Sequence, residues 1–184
     1  SLDYERTLAN ITRLAVPDFA DMGVVYLVDD DRVQRIEVAH VRPDKEVRMR
    51  ELHRLRGPQP IGDVGISRII RTGEAELISV VTPETFAALH LTPEQRALLE
   101  AVGPRSYIGV PLQAQGRIVG VMQFQITETR RRFTELDLDL ARELGERCGL
   151  AIEHAQLYRQ AQEAVAVRDH FLSLAAHELK TPLT

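Results

Sequence analysis

The last fourteen residues, FLSLAAHELKTPLT at 171–184, concentrate side chains capable of chemistry. His177, Glu178, Lys180 and Thr181 fall within five positions, and Pro182 follows directly. An imidazole beside a carboxylate suits nucleophilic or proton-transfer work. Pro182 lacks an N–H and is expected to bend a helix just past the cluster. His170, one heptad earlier, is expected to be an ordinary surface histidine.

The element that positions this cluster begins far upstream. From about Thr134 nothing interrupts a helix until Pro182; Gly145 and Gly149 weaken it without ending it. Leu144, Ala151, Tyr158, Val165, Leu172 and Leu179 recur every seven residues. A companion line runs through Cys148, Ala155, Gln162, Asp169 and Ala176. That period predicts a parallel homodimeric coiled coil, with Gln162 and Asp169 weakening the coil and fixing its register. The alternative is a helix folded back on its own sheet; the early part is expected to pack that way and the later part to form the dimer seam. Ala176 at a and Leu179 at d put His177 at b, pointing away from the seam.

Upstream, the pattern alternates between sheet and helix. LDYERTLANITRLA places Leu2, Leu8, Ile11 and Leu14 near one helical face, and Pro17 ends it. GVVYLVDDDRVQRIEVAHV reads as a β-hairpin around Asp29, Asp30 and Asp31, a solvated turn rather than a cation loop. Residues 43–60 predict a helix or long loop. VGISRIIRTGEAELISV predicts a short helix capped at Gly73 and then a strand. LTPEQRALLEAVG has Thr92 as N-cap, Pro93 at the first helical position and Gln95 completing a capping box, with Gly103 as its stop. SYIGVPLQAQGRIVGVMQFQIT predicts two strands about Gly116. Ile118, Met122, Phe124 and Ile126 share one face of the second, and Gln123 and Gln125 the other. Pro111 implies an edge or a bulge.

Composition narrows the class. With 184 residues and 44% hydrophobic content, the chain can bury one good core. A net charge of -4 gives no reason to expect nucleic acid, and the Arg130–Arg132 triplet is short and isolated. The single cysteine, Cys148, excludes an internal disulfide and a cysteine-based zinc site, so a reducing cytoplasm is the expected location. The longest apolar run, VVYLV at 24–28, is far too short to span a membrane. The missing initial methionine and the abrupt end lead us to expect a piece of a longer protein.

The stretches VGISRIIRTGEAELIS and RSYIGVPLQAQGRIVGVMQF resemble the hallmark segments of GAF domains, small sensory modules of bacterial signalling proteins. The resemblance covers residues 1–155 and implies an α+β fold, an antiparallel sheet flanked by helices, here continued by a long C-terminal coiled-coil helix. The terminal FLSLAAHELKTPLT resembles the phosphoacceptor box of sensor histidine kinases. Residues 168–184 then form the truncated start of a dimerisation and phosphotransfer domain, and 156–167 a signalling helix linker. The resemblance assigns His177 as phosphoacceptor, Glu178 to orienting the imidazole and accepting its proton, and Thr181 to phosphatase activity. It implies a homodimer, an ATP-binding kinase domain and a response regulator as partners. No glycine-rich nucleotide-binding segment is present, so the fragment alone is not expected to autophosphorylate with ATP. The alternative is a ligand-free dimerisation scaffold.

The resemblance also implies a pocket between sheet and covering helices, open to several ligand classes. Cys148 on the C-terminal helix argues against a covalently attached bilin, and the lack of paired cysteines against sulfoxide reduction. Haem would need a histidine inside the pocket. His40, on the face of Val38, and His90 are the histidine candidates, and Tyr107 could hydrogen-bond a ligand. His53 lies in a basic stretch expected to be exposed. No metal site is indicated.

Overall fold

The computed structural model describes residues 2–29 and 32–180, with side chains described over 6–28, 32–33 and 37–168. Helix α1 (Leu2–Ala15) leads into the hairpin β1 (Met22–Asp29) and β2 (Arg32–His40). Then follow α2 (Pro43–Arg56), the short β3 (Gln59–Pro60), α3 (Ile66–Thr72), β4 (Glu76–Ile78), α4 (Pro83–Ala87) and α5 (Pro93–Val102). The strands β5 (Ser106–Ala114) and β6 (Arg117–Ile126) precede α6 (Glu135–Lys180). The strands form one sheet in the order β3-β2-β1-β6-β5-β4, and every recorded pairing is antiparallel.

Local signals explain the boundaries. Thr92 Oγ1 accepts the Gln95 N–H while the Gln95 side chain accepts the Thr92 N–H, closing the expected capping box of α5. Gly73 and Gly103 stand in left-handed conformations, at φ 71° and 73°, where α3 and α5 stop. Thr134 and Asp137 exchange the same reciprocal bonds at the start of α6. Among the turn carboxylates, Asp30 and Asp31 lie outside the described residues.

Strand alternation sends each strand's side chains to two different layers. One face carries Val25, Leu27, Ile108, Val110, Leu112, Met122, Phe124 and Ile126 under α1 and α6, with Phe133 closing the end. Phe19 meets Phe124 edge-on at 4.9 Å between ring centroids. The other face carries Met22, Val24, Tyr26, Tyr107 and Val121 under α2, α3 and α5.

Three expectations need correction. Leu14 is 77% exposed; the buried face of α1 runs through Leu8 and Thr12, whose hydroxyl donates to the Leu8 carbonyl. Ile118 lies on the face opposite Met122, because the β5–β6 register skips Val119 and a bulge inverts the alternation beyond it. β5 is not an edge strand, since it sits between β6 and β4, but the expected bulge is present: the β5–β6 register shifts between Leu112 and Gln113, beside Pro111. β4 pairs only with Tyr107–Gly109, however, so Pro111 lies beyond its reach and no ladder bond is lost.

Candidate functional site

The floor of the site comes from two neighbouring strands. Tyr107 of β5 stands opposite Gln125 of β6, and Gly109 opposite Gln123. Continuing the alternation that buries Met122 and Phe124 on one face, Gln123 and Gln125 must face the other. They line a cleft of about 830 Å³ together with Tyr107 and Tyr26. Its walls come from α2 (Met49, Leu52, His53), α3 (Ile66, Arg68), the 57–65 connection, and Phe86, Leu89 and Leu99 beyond. Gly109 makes room for this arrangement: a Cβ there would overlap the Tyr107 hydroxyl and the Ile69 Cδ1.

The cleft is mostly apolar, but its buried polar atoms are incompletely satisfied. The Tyr107 hydroxyl, the Gln125 Oε1 and the Arg68 Nε are buried without a hydrogen-bond partner. Tyr107 is 8% exposed and Gln125 5%. An unpaired buried polar group costs about 1–3 kcal/mol, so the three beside this cleft are a local cost that the rest of the fold offsets. Burial, reinforced by the nearby Glu76 carboxylate and Tyr26 and opposed by Arg68, holds the Tyr107 phenol well above its ordinary pKa. It therefore stays a neutral hydroxyl. Arg68 is ion-paired to Glu76 at 3.2 Å. Deeper along the wall, the His53 Nδ1 contacts the Met49 carbonyl at 2.6 Å and must donate to it. Its Nε2 meets the Tyr26 hydroxyl at 2.7 Å.

Of the three pocket candidates from the sequence, Tyr107 lies on the cleft floor. His40 and His90 are not among its lining residues. His40 is buried at the far end of the sheet. Its Nδ1 accepts the Arg42 N–H at 2.9 Å, and its Nε2 meets the Thr127 hydroxyl at 3.1 Å. Thr127 in turn donates to Glu128, which pairs with Lys45, and the Lys45 ammonium also donates to the Val102 carbonyl of α5. Asp21 completes this clasp by accepting the N–H groups of Thr127 and Glu128, each at 2.8 Å. Burial lowers the pKa of His40 despite the nearby Glu128 carboxylate. His90 occupies a left-handed turn position at φ 49° after α4. His53, read from sequence as exposed, is the histidine that lines the cleft. Arg68, Gln123 and Gln125 carried no motif; the alternation of β6 was the available signal for the two glutamines.

The opposite face of the sheet is closed by the long helix. Helix α6 lays Leu138, Ala141, Gly145, Cys148, Gly149 and Ile152 against the sheet. A Cβ on Gly149 would overlap the Gln113 carbonyl oxygen, and one on Gly145 would stand 2.9 Å from that of Pro111. These glycines do more than weaken the helix: they let its backbone rest directly on β5. Glu153 also accepts the Gln115 N–H at 3.0 Å. Cys148 is buried here, on the face away from the cleft, and burial pushes its thiol up to about 11. Beyond the sheet, Tyr158 (68% exposed) and Val165 (48%) of the heptad line face outward. The side chains of His177 and Glu178, near the end of α6, and the whole of Thr181 lie outside the described residues. Among the described residues no cluster of three metal-ligating side chains occurs, and no helix is long and apolar enough to cross a membrane.

Comparison with known proteins adds a family. The model of the GAF domain matches residues 3–152. The circadian input-output histidine kinase CikA of Synechococcus elongatus is 32% identical over 117 residues, covering 50% of this chain and 16% of CikA. The chain thus corresponds to a small part of that protein's length. Among solved structures, a GAF domain of a phosphoenolpyruvate-protein phosphotransferase from Coxiella burnetii aligns over 87% of this chain and 88% of its own, with a TM-score of 0.63 and 17% identity. The second GAF domain of DevS from Mycobacterium smegmatis aligns over 85% and 99%, with a TM-score of 0.60 and 16% identity.

Proposed function

The chain belongs to the GAF domain family, and from that premise we propose that it is the sensory input of a two-component sensor histidine kinase. In this reading residues 1–155 sense a small molecule, 156–167 form a signalling helix, and 168–184 begin the dimerisation and phosphoacceptor domain. The observation that carries the reading is that cleft and helix share one strand. Tyr107 and Gly109 of β5 build the cleft floor, while Pro111 and Gln113 of the same strand bear the glycines of α6.

A ligand that engages Tyr107 pulls on a strand whose other end has no slack against α6. Close-packed layers move as units, so a small displacement of β5 becomes a rotation or register shift of the helix. In a parallel homodimer, with Tyr158 and Val165 in the seam, that shift reaches His177. His177 accepts the γ-phosphoryl group of ATP from the kinase domain of the parent protein. Glu178 orients the imidazole and takes its proton, Thr181 serves the reverse phosphatase reaction, and a response regulator receives the phosphate. The cytoplasm, where ATP is supplied, is the compartment this requires.

A second reading is a ligand-free dimerisation scaffold, which the exposed apolar side chains of α6 also support. Two measurements separate these. The parent protein with ATP is expected to acquire acid-labile phosphate that His177→Gln abolishes, whereas this chain alone acquires none. Labelling of this chain without a kinase domain overturns the expectation that it needs one, and persistence of the label in His177→Gln overturns the phosphoacceptor assignment. Native mass spectrometry of the purified protein is expected to show a bound small molecule. A mass equal to the bare chain, with no ligand-dependent change in kinase activity of the parent, supports the scaffold instead.

A further inference from the structure

Helix α6 is covered on one side and bare on the other. We propose that its bare side docks on the same side of a second copy of this chain, α6 against α6 in parallel, along the height of the domain and not only beyond it. This rests on the reading of α6 as a dimeric signalling helix and says which surface makes the dimer.

Position comes first. Leu136, Leu140, Leu150, Leu157, Tyr158 and Val165 are each between 47% and 71% exposed. At 3.6 residues per turn they fall within about 100° of arc, the width of a stripe that packs on a neighbour. That arc is centred opposite Ala141, Gly145, Cys148 and Ile152, which rest on the sheet. Among the described large apolar side chains that α6 exposes, Val167 alone lies elsewhere. The heptad line through Leu144 and Cys148 cannot form the seam at this height, because the domain's own core covers it. Thr7 and Ile11 of α1 share a small hollow with Cys148, Ala151 and Ala155, so α1 runs along one flank of the stripe. Exposed Leu14 stands on that same side of α1, one turn past Ile11, and widens the surface.

Size and period come second. At about 100 Å² for each covered side chain, the stripe and Leu14 offer roughly 700 Å², near the ~800 Å² per partner of a stable interface. Leu150 and Leu157, like Tyr158 and Val165, are spaced by seven, the repeat that a second helix of the same pitch demands. The repeat continues beyond Ile152, the last residue of α6 in the buried core.

Charge comes third. Glu143 and Arg147 lie within the stripe and pair with one another. A purely apolar partner would desolvate that pair without compensation. A second copy brings the same pair, so each guanidinium lies between two carboxylates and its five N–H groups can serve both. With the copies parallel, the two sheets sit on the outer sides of the helix pair and do not collide.

The test places single cysteines in the intact chain. Leu136→Cys, Leu150→Cys and Leu157→Cys lie on the stripe, Arg142→Cys and Arg159→Cys lie off it, and the unsubstituted chain, whose Cys148 is buried, is the blank. Under copper-phenanthroline the stripe positions are expected to form linked dimer at least about tenfold faster than the other two, since only close Cα pairs can be bridged. Self-linking at all three also fixes the direction, because antiparallel copies bring only one position near its own twin. By sedimentation equilibrium, Leu150→Glu is expected to weaken the dimer at least about tenfold. Its circular dichroism is expected to stay unchanged, since Leu150 is exposed in the single chain. Glu143→Arg is expected to weaken the dimer too, and Glu143→Arg combined with Arg147→Glu to restore it.

A chain that stays monomeric, or a dimer indifferent to Leu150→Glu, overturns the surface. Linking at Tyr158→Cys and Val165→Cys with none at Leu136→Cys and Leu150→Cys also overturns it, and leaves the seam of the signalling helix standing. Linking at Leu150→Cys alone overturns the parallel arrangement, and a charge swap that fails to restore the dimer overturns the role of the Glu143–Arg147 pair. A dimer through this stripe whose parent protein carries no phosphate on His177 overturns the phosphoacceptor reading and leaves the surface intact.

Discussion

The two faces of the sheet are made by the same strands and solve opposite problems. On the α6 face every inward side chain of β6 is apolar, and glycines at 145 and 149 remove the last gap between helix and strand. On the cleft face the alternate residues of the same strand include Gln123 and Gln125 next to Val121, the covering helices are short, and about 830 Å³ stays open. Packing density is spent on one side and withheld on the other. The closed face supplies stability, and the open face tolerates unpaired polar atoms because stability has been secured behind it.

Breaking the closed face should therefore cost most. Phe124 is fully buried and meets Phe19 edge-on. Phe124→Ala is expected to destabilise the chain by about 3–5 kcal/mol, seen as a lowered urea midpoint. A loss near 1 kcal/mol would show that this core is loosely packed and that the contrast between faces is overstated.

Next comes the helix seat. Gly149→Val puts two methyl groups where the Gln113 carbonyl already stands. Backbone on one side and helix on the other leave little room for relaxation, so the cost is expected to be about 1–3 kcal/mol or more. The equivalent change at exposed Ala161 is expected to cost only the difference in helix propensity, about 0.6 kcal/mol. Equal effects at the two positions would contradict the tight contact between α6 and β5.

The cleft face should respond with the opposite sign. Tyr107→Phe removes a hydroxyl buried without a partner, so the unliganded protein is expected to gain about 1 kcal/mol of stability. A destabilised variant would mean that the hydroxyl is satisfied within the protein.

The sequence was informative where information is local. The capping box at Thr92 and Gln95 and the left-handed stops at Gly73 and Gly103 depend on neighbours a few residues away, and each is found as expected. It was less informative where neighbours come from afar. The bulge at Val119 is a property of the β5–β6 pairing, and it carries Ile118 to the cleft side. Gly145 and Gly149 look like poor helix residues until the β5 backbone is placed beneath them. His53 looked exposed within an arginine-rich stretch, because only the fold turns that side of α2 toward Tyr26. The cleft gathers Arg68, Tyr107 and Gln125 from three elements separated by dozens of residues, and no spacing in one dimension announces such a meeting.

The gentlest test of the comparison is pH. His40 stands at the end of the sheet, in the clasp that ties α2 and α5 through Lys45 and Val102 to Thr127 and Glu128 behind β6. Burial lowers its pKa below the ordinary 6.5, although Glu128, Asp21 and Asp44 favour the charged ring and Lys45 opposes it. The unfolded chain therefore takes up the proton first. Stability contributed by neutral His40 is intact above 6.5, falls as the pH drops through that value, and stops falling once the folded ring is itself protonated. Burial also pushes the Glu128 carboxyl up, but the Lys45 and Thr127 hydrogen bonds overcome it and hold the group below its ordinary 4.5. That second contribution persists above 4.5 and is lost at more acid pH. Both groups fasten the layer that covers the cleft, and neither touches α6. Hydrogen exchange between pH 7.5 and about 5.5, corrected for the intrinsic rate, is thus expected to speed up in α2 and α5 and to leave residues 138–152 of α6 unchanged. Uniform acceleration across both layers would show that the two faces unfold as one unit. Acceleration confined to α6 would place the pH-sensitive contact on the wrong side of the sheet. His40→Gln, which keeps polar atoms near Thr127 but cannot be protonated in this range, is expected to remove the change in α2 and α5.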